Sequence, residues 1–177
     1  ETDFAKYIAK EILQNIIFTV AESLANSIVA ELAEMVTTAF IAQYNELSTT
    51  GNITNIQGIC PDGYHIPSDT EWMIFEMALG MSPSDLPRSG VTVTDRGADA
   101  GVVQKMISEH GFDYGGYVSI NGTYAQLGEA GVYWSSTAGT DAYGDYVWVR
   151  QIDTSYTGVL RFKHYEKSGL SIRCFKD

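Results

Sequence analysis

The chain has 177 residues, enough for one good-sized hydrophobic core or for a core with an extension. Its formal net charge is −11 at pH 7, from 11 basic and 22 acidic side chains. Binding to nucleic acid or to an anionic membrane surface relies on Lys and Arg near phosphates, so this acidic chain is a poor candidate for either partner. The charge is typical of a soluble surface whose copies repel one another.

A change in composition near residue 50 divides the chain. No Gly or Pro precedes Gly51, and all 17 glycines lie from there onward. We therefore predict an N-terminal assembly helix over residues 1–47, a polar linker over 48–57 and a globular head over 58–177. The chain begins at Glu1 and shows no signal peptide, as expected of a processed mature chain or of a chain trimmed for study.

Apolar or aromatic residues occupy every fourth position of the first segment. They are Phe4, Ile8, Ile12, Ile16, Val20, Leu24, Ile28, Leu32, Val36 and Phe40, followed by Tyr44. This spacing predicts a helix. Because a step of four residues overshoots the helical repeat, the stripe advances by about 40° per step and passes right round the helix. Such a helix needs neighbours on several sides, which favours packing among copies in a bundle or a filament core.

Two other interpretations of this segment stay open. Residues 12–30 are apolar enough for a membrane span to be considered, although Gln14 and Glu22 interrupt them. The helix could also fold back over the head. Each is a less favoured alternative to self-assembly.

The two cysteines, Cys60 and Cys174, lie near the two ends of the head. Neither belongs to a C-x-x-C pair, and two cysteines alone do not make a zinc site. If they pair, the bridge closes a loop of roughly 115 residues, worth about 4–5 kcal/mol in the chain-entropy model. Such a bridge persists in an oxidising compartment, and the alternative is two buried thiols in a cytosolic protein.

Local signals predict two helices in the head. Ser68 and Glu71 have the spacing of a capping box, and the helix after them carries Trp72, Phe75 and Leu79 at core spacing. A second helix is predicted from about Ala98 to His110 and ends at Gly111. After Gly115 the pattern becomes strand-like, with short runs such as 146–149 and 158–162.

Three segments of the head carry a resemblance to a known family. They are Gly58–Trp72 (GICPDGYHIPSDTEW), Gly131–Thr137 (GVYWSST) and Lys167–Asp177 (KSGLSIRCFKD), in this order. Together they resemble the FISUMP domain, the major paralogous domain of Fibrobacter succinogenes, over residues 58–177. The resemblance implies an exported protein with a C-type-lectin-like fold, whose paired ends would join Cys60 to Cys174. The expected fold class is therefore α+β, with a long N-terminal α-helix followed by a C-type-lectin-like mixed α/β head.

No catalytic residue comes with the resemblance, and the residues themselves indicate none. The histidines at 65, 110 and 164 are scattered, and Ser135 and Ser136 lack the G-x-S-x-G turn of a nucleophile elbow. We expect the segment Tyr133–Thr137 to be structural, with aromatic rings in the core and hydroxyl groups that bind backbone groups at a turn.

We also expect no cofactor and no metal. Ca²⁺ requires six to eight oxygen ligands with converging carboxylates. The acids of the long loop region, at positions 113, 129, 141, 145 and 153, are spread out, and the sugar-binding triplets of calcium-dependent lectins are missing.

A metal-independent contact surface is a further expectation. Tyrosines among Gly, Ser, Thr and Asp suit the recognition of sugars or proteins. The candidate ligand surface comprises Tyr114, Tyr117, Tyr143, Tyr146 and Tyr156, and Tyr124 lies in a similar setting. The plainer interpretation is that these tyrosines are half-buried at strand edges.

Together these patterns predict a non-enzymatic structural subunit of an extracellular, pilus-like filament at the cell surface, with the helix packed in the core and the head displayed outside. Its partners would be other copies of the chain, with a glycan or a surface protein as candidate ligand of the head. The alternative is a secreted or surface adhesin, a lectin-like binding protein that the helix oligomerises. The residues at the start of the chain do not match those of a mature type IV pilin, so the prediction concerns the architecture alone.

Overall fold

A computed structural model describes Ala42 and residues 56–165 and 168–177 of the chain. The chain divides into two units, Glu1–Gly51 and Asn52–Asp177, and the described residues belong almost entirely to the second. The predicted assembly residues from Phe4 to Phe40 lie outside the described residues.

The described unit contains two helices. Helix α1 spans Asp69–Ala78 and begins at the predicted capping box, in which the Ser68 side chain accepts a hydrogen bond from the Glu71 backbone. Helix α2 spans Val102–His110 and ends at Gly111 in the left-handed conformation, as predicted. It begins four residues later than predicted, because residues 97–101 form turns in which Gly97 and Gly101 have positive φ.

Within residues 56–165 and 168–177, seven strands form three small antiparallel sheets. The largest joins β4 (Ala130–Asp141), β5 (Gly144–Asp153) and β6 (Leu160–Tyr165) in that order. Two short ladders accompany it, one between β2 (Tyr117–Val118) and β3 (Tyr124–Ala125), and the other between β1 (Tyr64–His65) and β7 (Phe175–Lys176).

The predicted fold class, a long N-terminal α-helix followed by a C-type-lectin-like mixed α/β head, is wrong. Among the described residues there are two short helices, of ten and nine residues, and the remainder is mostly sheet and loop. Glycine explains much of this architecture: eleven described glycines have positive φ, a conformation that ends helices and forms turns. Apart from Ala42, the long helix predicted over residues 1–47 falls outside the described residues.

The three-stranded sheet separates two packed layers, because side chains alternate between the faces of a strand. On one face the buried residues Val132, Val147 and Val149 form an apolar cluster, against which Tyr117, Trp134, Phe162 and Leu170 pack. The opposite face carries Tyr133 and Arg150, which contact residues of α1. The fully buried Trp72 of α1 is in ring contact with Tyr133 and donates its indole N–H to the Trp134 carbonyl at 3.1 Å.

Candidate functional site

The segment before α1 binds both the helix and the end of the chain. His65 lies on β1, and its ring nitrogens are 2.6 Å from a carboxylate oxygen of Asp177 and 2.8 Å from one of Glu71. The second oxygen of Glu71 accepts hydrogen bonds from the backbone and the hydroxyl of Ser68. The first of the three quoted segments thus starts a helix and contacts residue 177 at the same time.

The central segment forms a bulge that receives the start of α1. The register between β4 and β5 shifts between Trp134 and Ala138, which leaves the residues between them outside the regular ladder. The Thr137 hydroxyl accepts a hydrogen bond from the Asp69 backbone at 2.8 Å, and the Ser135 hydroxyl accepts one from the Thr137 backbone. The prediction that this segment has a structural role is therefore confirmed for Ser135 and Thr137.

The closing segment completes the same structure. Ser171 exchanges backbone hydrogen bonds with Val132 and Trp134 of β4. Phe175 is in ring contact with Trp72, with centroids 5.3 Å apart, and the Arg173 guanidinium binds the backbone carbonyl of His110 at the end of α2. All three segments therefore serve the core and the closure of the unit.

A buried network of five charged side chains lies between α1 and the sheet, and we call it the ion network. Its members are Asp69, Glu76, Arg96, Arg150 and Arg161. Arg150 bridges the two acids, with nitrogens 2.7 Å from Asp69 and 2.6 Å from Glu76. Arg96 binds the other oxygen of Glu76 at 2.7 Å, and Arg161 binds Asp69 at 2.6 Å.

The ion network is fully satisfied, as buried charges must be. Burial alone would raise the pKa of Asp69, but the charge of Arg150 and the hydrogen bond from Arg161 outweigh it and hold that pKa below its usual value. Among the described residues, every buried side-chain nitrogen and oxygen has a hydrogen-bond partner. The members of the network therefore bind one another and nearby backbone groups.

Sequence reasoning missed the ion network, because its members lie up to 92 residues apart in the chain. Asp69 follows the capping serine directly and resembles an ordinary acid of a first helical turn. A weak signal was available in Arg150, a charged residue at the end of the apolar run Val147–Val149. A charge there requires a buried partner, since the strand continues into the core.

The disulfide between Cys60 and Cys174 is confirmed. The sulfurs are bonded, the Cα atoms are 5.8 Å apart, and no free cysteine occurs among the described residues. The bridge lies next to the ladder between β1 and β7, where the backbone N–H of Asp177 donates to the Gly63 carbonyl at 3.1 Å. The alternative of two free thiols is thereby excluded.

The tyrosines of the candidate ligand surface do not form one patch. Tyr143 is 85% exposed in the turn before β5, and Tyr156 is 41% exposed beyond the other end of that strand. A ten-residue strand spans about 30 Å, so the two rings lie far apart. Tyr114, Tyr117 and Tyr146 are half-buried.

Two of the half-buried tyrosines have contacts within the protein. Tyr117 packs on the apolar cluster of the sheet. The Lys163 ammonium lies 4.1 Å from the centroid of the Tyr146 ring, and the same ring lies against Gly139. These positions match the plainer interpretation, in which the tyrosines are half-buried at strands.

Within 56–165 and 168–177 no three His, Cys, Asp or Glu side chains converge in an arrangement that could hold a metal ion. The same part of the chain contains no helix with the length and apolar character that a bilayer span requires.

The comparisons agree with the resemblance seen in the three segments. The family model described as the Fibrobacter succinogenes major domain matches residues 17–176. The match begins 41 residues before Gly58 and thus includes much of the segment assigned to assembly. No match was found among curated proteins or among solved structures. The disulfide and the family are compatible with an extracellular location. The chain belongs to the Fibrobacter succinogenes major domain family.

Proposed function

We propose that the protein is a non-enzymatic structural subunit of an extracellular, pilus-like filament. In this assembly residues 1–47 pack between copies, and the disulfide-closed unit lies on the outside. The observation that carries the proposal is the recurrence of apolar residues at every fourth position from Phe4 to Phe40, ahead of a unit that has its own core. Apolar surface of this extent is stable in water when it is covered.

The described unit supports the proposal through its closure. The cysteine bridge joins positions 114 residues apart, and the ion network ties α1 to the sheet. Both features hold the unit together through contacts within one chain. A surface subunit outside the cell would benefit from such internal closure, because these contacts do not depend on other copies.

Acid substitutions in the first segment test the proposal. Ile16→Asp and Ile28→Asp place a charge where apolar packing between copies is proposed, at a cost of roughly several kcal/mol per interface. We expect either variant to abolish assembly, measured by light scattering, while the near-UV circular dichroism of the folded unit is unchanged. Asn15→Asp, which adds the same charge at a polar position, is the matched control and should assemble.

Each contrary outcome identifies a specific error. Normal assembly of Ile16→Asp or Ile28→Asp would contradict a role for that position in the filament. Loss of the near-UV signal together with assembly would mean that residues 1–47 belong to the core of the folded unit.

A second candidate function is a surface adhesin, and one observation favours it. Residues 114–128, which include the β2–β3 hairpin, contain no charged side chain in a chain of net charge −11. Three of their large apolar side chains are strongly exposed: Ile120, Tyr124 and Leu127. Exposed aromatic and aliphatic groups among Ser, Asn and Gly are typical of adaptable binding surfaces.

Glycan and protein arrays probed with the full chain and with Tyr124→Ala test this candidate. A ligand that the variant loses would support an adhesin. A ligand that both proteins bind equally would place the binding surface elsewhere.

A further inference from the structure

His65 is held between two carboxylates from opposite ends of the described unit. Its Nδ1 lies 2.6 Å from Oδ1 of Asp177, and its Nε2 lies 2.8 Å from Oε1 of Glu71. The side chain of His65 is 6% exposed. Water therefore has little access to compete for either ring nitrogen.

With Glu71 and Asp177 both ionised, this arrangement requires the doubly protonated ring. A neutral imidazole has one N–H donor, and an ionised carboxylate can only accept. Between two ionised carboxylates, both contacts are hydrogen bonds only when both ring nitrogens carry protons. Loss of one proton sets a nitrogen lone pair against a carboxylate oxygen and breaks one of the two bonds.

The protonated state is favoured at this position. Burial alone would lower the pKa of His65, but the hydrogen bond to Asp177 and the charge of Glu71 outweigh it and raise that pKa above its usual value of 6.5. Glu71 and Asp177 are the acids whose contacts with His65 are seen among the described residues. Lys176, the nearest cation along β7, is paired in register with Tyr64.

The contacts of His65 lie beside the short ladder between β1 and β7. The ladder between β1 and β7 has two residue pairs, and the disulfide lies beside it. Glu71 also caps α1 through Ser68. One imidazole therefore links residue 177, β1 and the start of α1.

We propose that His65, Glu71 and Asp177 form a pH-dependent clamp, which holds the two ends of the unit together while the imidazole is doubly protonated. The clamp controls the access of reductants to the Cys60–Cys174 bridge. Cys60 is buried and Cys174 is half-buried in the closed state, so opening the ladder between β1 and β7 increases the exposure of the bridge, chiefly at Cys60.

The direction of the pH effect follows from linkage. His65 has a higher pKa in the folded than in the unfolded chain. The stability that the clamp contributes is fully present below the unfolded pKa, near 6.5, and is lost as pH rises through the folded pKa. The unit should therefore be closed most firmly in mildly acidic conditions.

The rate at which a water-soluble phosphine reduces the bridge tests the clamp. The full chain and His65→Gln are compared at each pH from about 5 to about 9, so that the reagent's own pH dependence cancels in the ratio of their rates. Glutamine provides one donor group, as neutral imidazole does. We expect the variant to be reduced faster at acidic pH, with the ratio falling to about one above the folded pKa.

Two controls keep the test decisive. His164→Gln removes a histidine of β6 and should leave the rate of reduction unchanged at every pH. Asp177→Asn keeps the fold if His65→Gln does not, because the Asp177 side chain is 48% exposed. In this second variant the pKa of His65, followed by its ring-proton NMR shift, should fall relative to the wild type.

Three results would contradict different parts of the proposal. A ratio of rates that is constant with pH would overturn the pH dependence. A ratio of one at all pH values would overturn control of the bridge. A wild-type His65 pKa at or below 6.5 would contradict the clamp itself.

Discussion

Asp69 is the residue on which most of the ion network's contacts with the sheet depend. One of its oxygens accepts from Arg150 and Arg161, and the other accepts from Arg161 alone. Its backbone also donates to the Thr137 hydroxyl in the bulge of β4. Charge and backbone contacts at this residue therefore fix α1 against three strands, β4, β5 and β6.

We predict that Asp69→Asn lowers the free energy of unfolding by about 3–5 kcal/mol, because it leaves buried guanidinium groups without their counter-charge. Chemical denaturation measures the change, and Asp99→Asn, at an exposed position, is the control. The wild-type pKa of Asp69 is lowered, so its contribution is present above the usual value of 3.8 and is lost as pH falls through the folded pKa. An equal loss in both variants would contradict a buried ionised Asp69.

Tyr133 provides a second prediction about a single group. Burial raises the pKa of its phenol to about 12. The hydroxyl donates to the Asp113 carbonyl at 2.7 Å and accepts from the Asp113 backbone N–H at 2.9 Å. Titration followed by ultraviolet absorbance, with Tyr133→Phe to identify the group, should show Tyr133 ionising well above the usual phenol pKa of 10.0. Ionisation of Tyr133 near pH 10 would mean that its hydroxyl is accessible to water.

Strand β4 is the element against which all three family segments are arranged. Its buried first half forms backbone hydrogen bonds with Ser171. The Thr137 hydroxyl in its bulge accepts a hydrogen bond from the backbone of Asp69 at the start of α1. Gly131 allows this half to lie against the segment that follows α2. A Cβ atom there would lie 2.1 Å from the Asp113 carbonyl oxygen.

We therefore expect Gly131→Ala to destabilise the protein by more than about 2 kcal/mol, since backbone has to move to relieve the overlap. Gly115→Ala is the matched control, because its Cβ would meet a movable side-chain oxygen of Asp113 at 3.2 Å. Thermal unfolding of both variants measures the difference. Equal melting temperatures would show that the two backbone segments are not in close contact.

Local signals in the sequence predicted local structure well. The capping pair Ser68 and Glu71 marked the start of α1, and Gly111 marked the end of α2, because each acts within one helical turn. The start of α2 was placed too early, since residues 98–101 bond as turns. The bulge of β4 was not predicted, because it depends on contacts with a distant helix.

Contacts between distant parts of the chain explain what was missed. His65, Glu71 and Asp177 looked unrelated because 112 residues separate the first from the last. The disulfide was predicted from the position of the two cysteines near the ends of the head, and the fold implied by the family resemblance strengthened that prediction. The long helix of the predicted fold class came from a periodic pattern over residues that lie outside the described ranges.

As a whole, the molecule combines a closed, covalently bridged unit with an apolar segment ahead of it. The three family segments are used in the core and the closure, so family membership describes how the unit folds. The proposed function depends instead on residues 1–47 and, for the adhesin candidate, on the uncharged hairpin. These two regions are where the proposed functions can be told apart.

Negative-stain electron microscopy of the purified full chain tests the central proposal most directly. The filament proposal predicts long particles of constant width, which disappear in Ile16→Asp and persist in Asn15→Asp. Discrete small particles in the wild-type protein, at concentrations where it is fully folded, would contradict the filament and favour the adhesin.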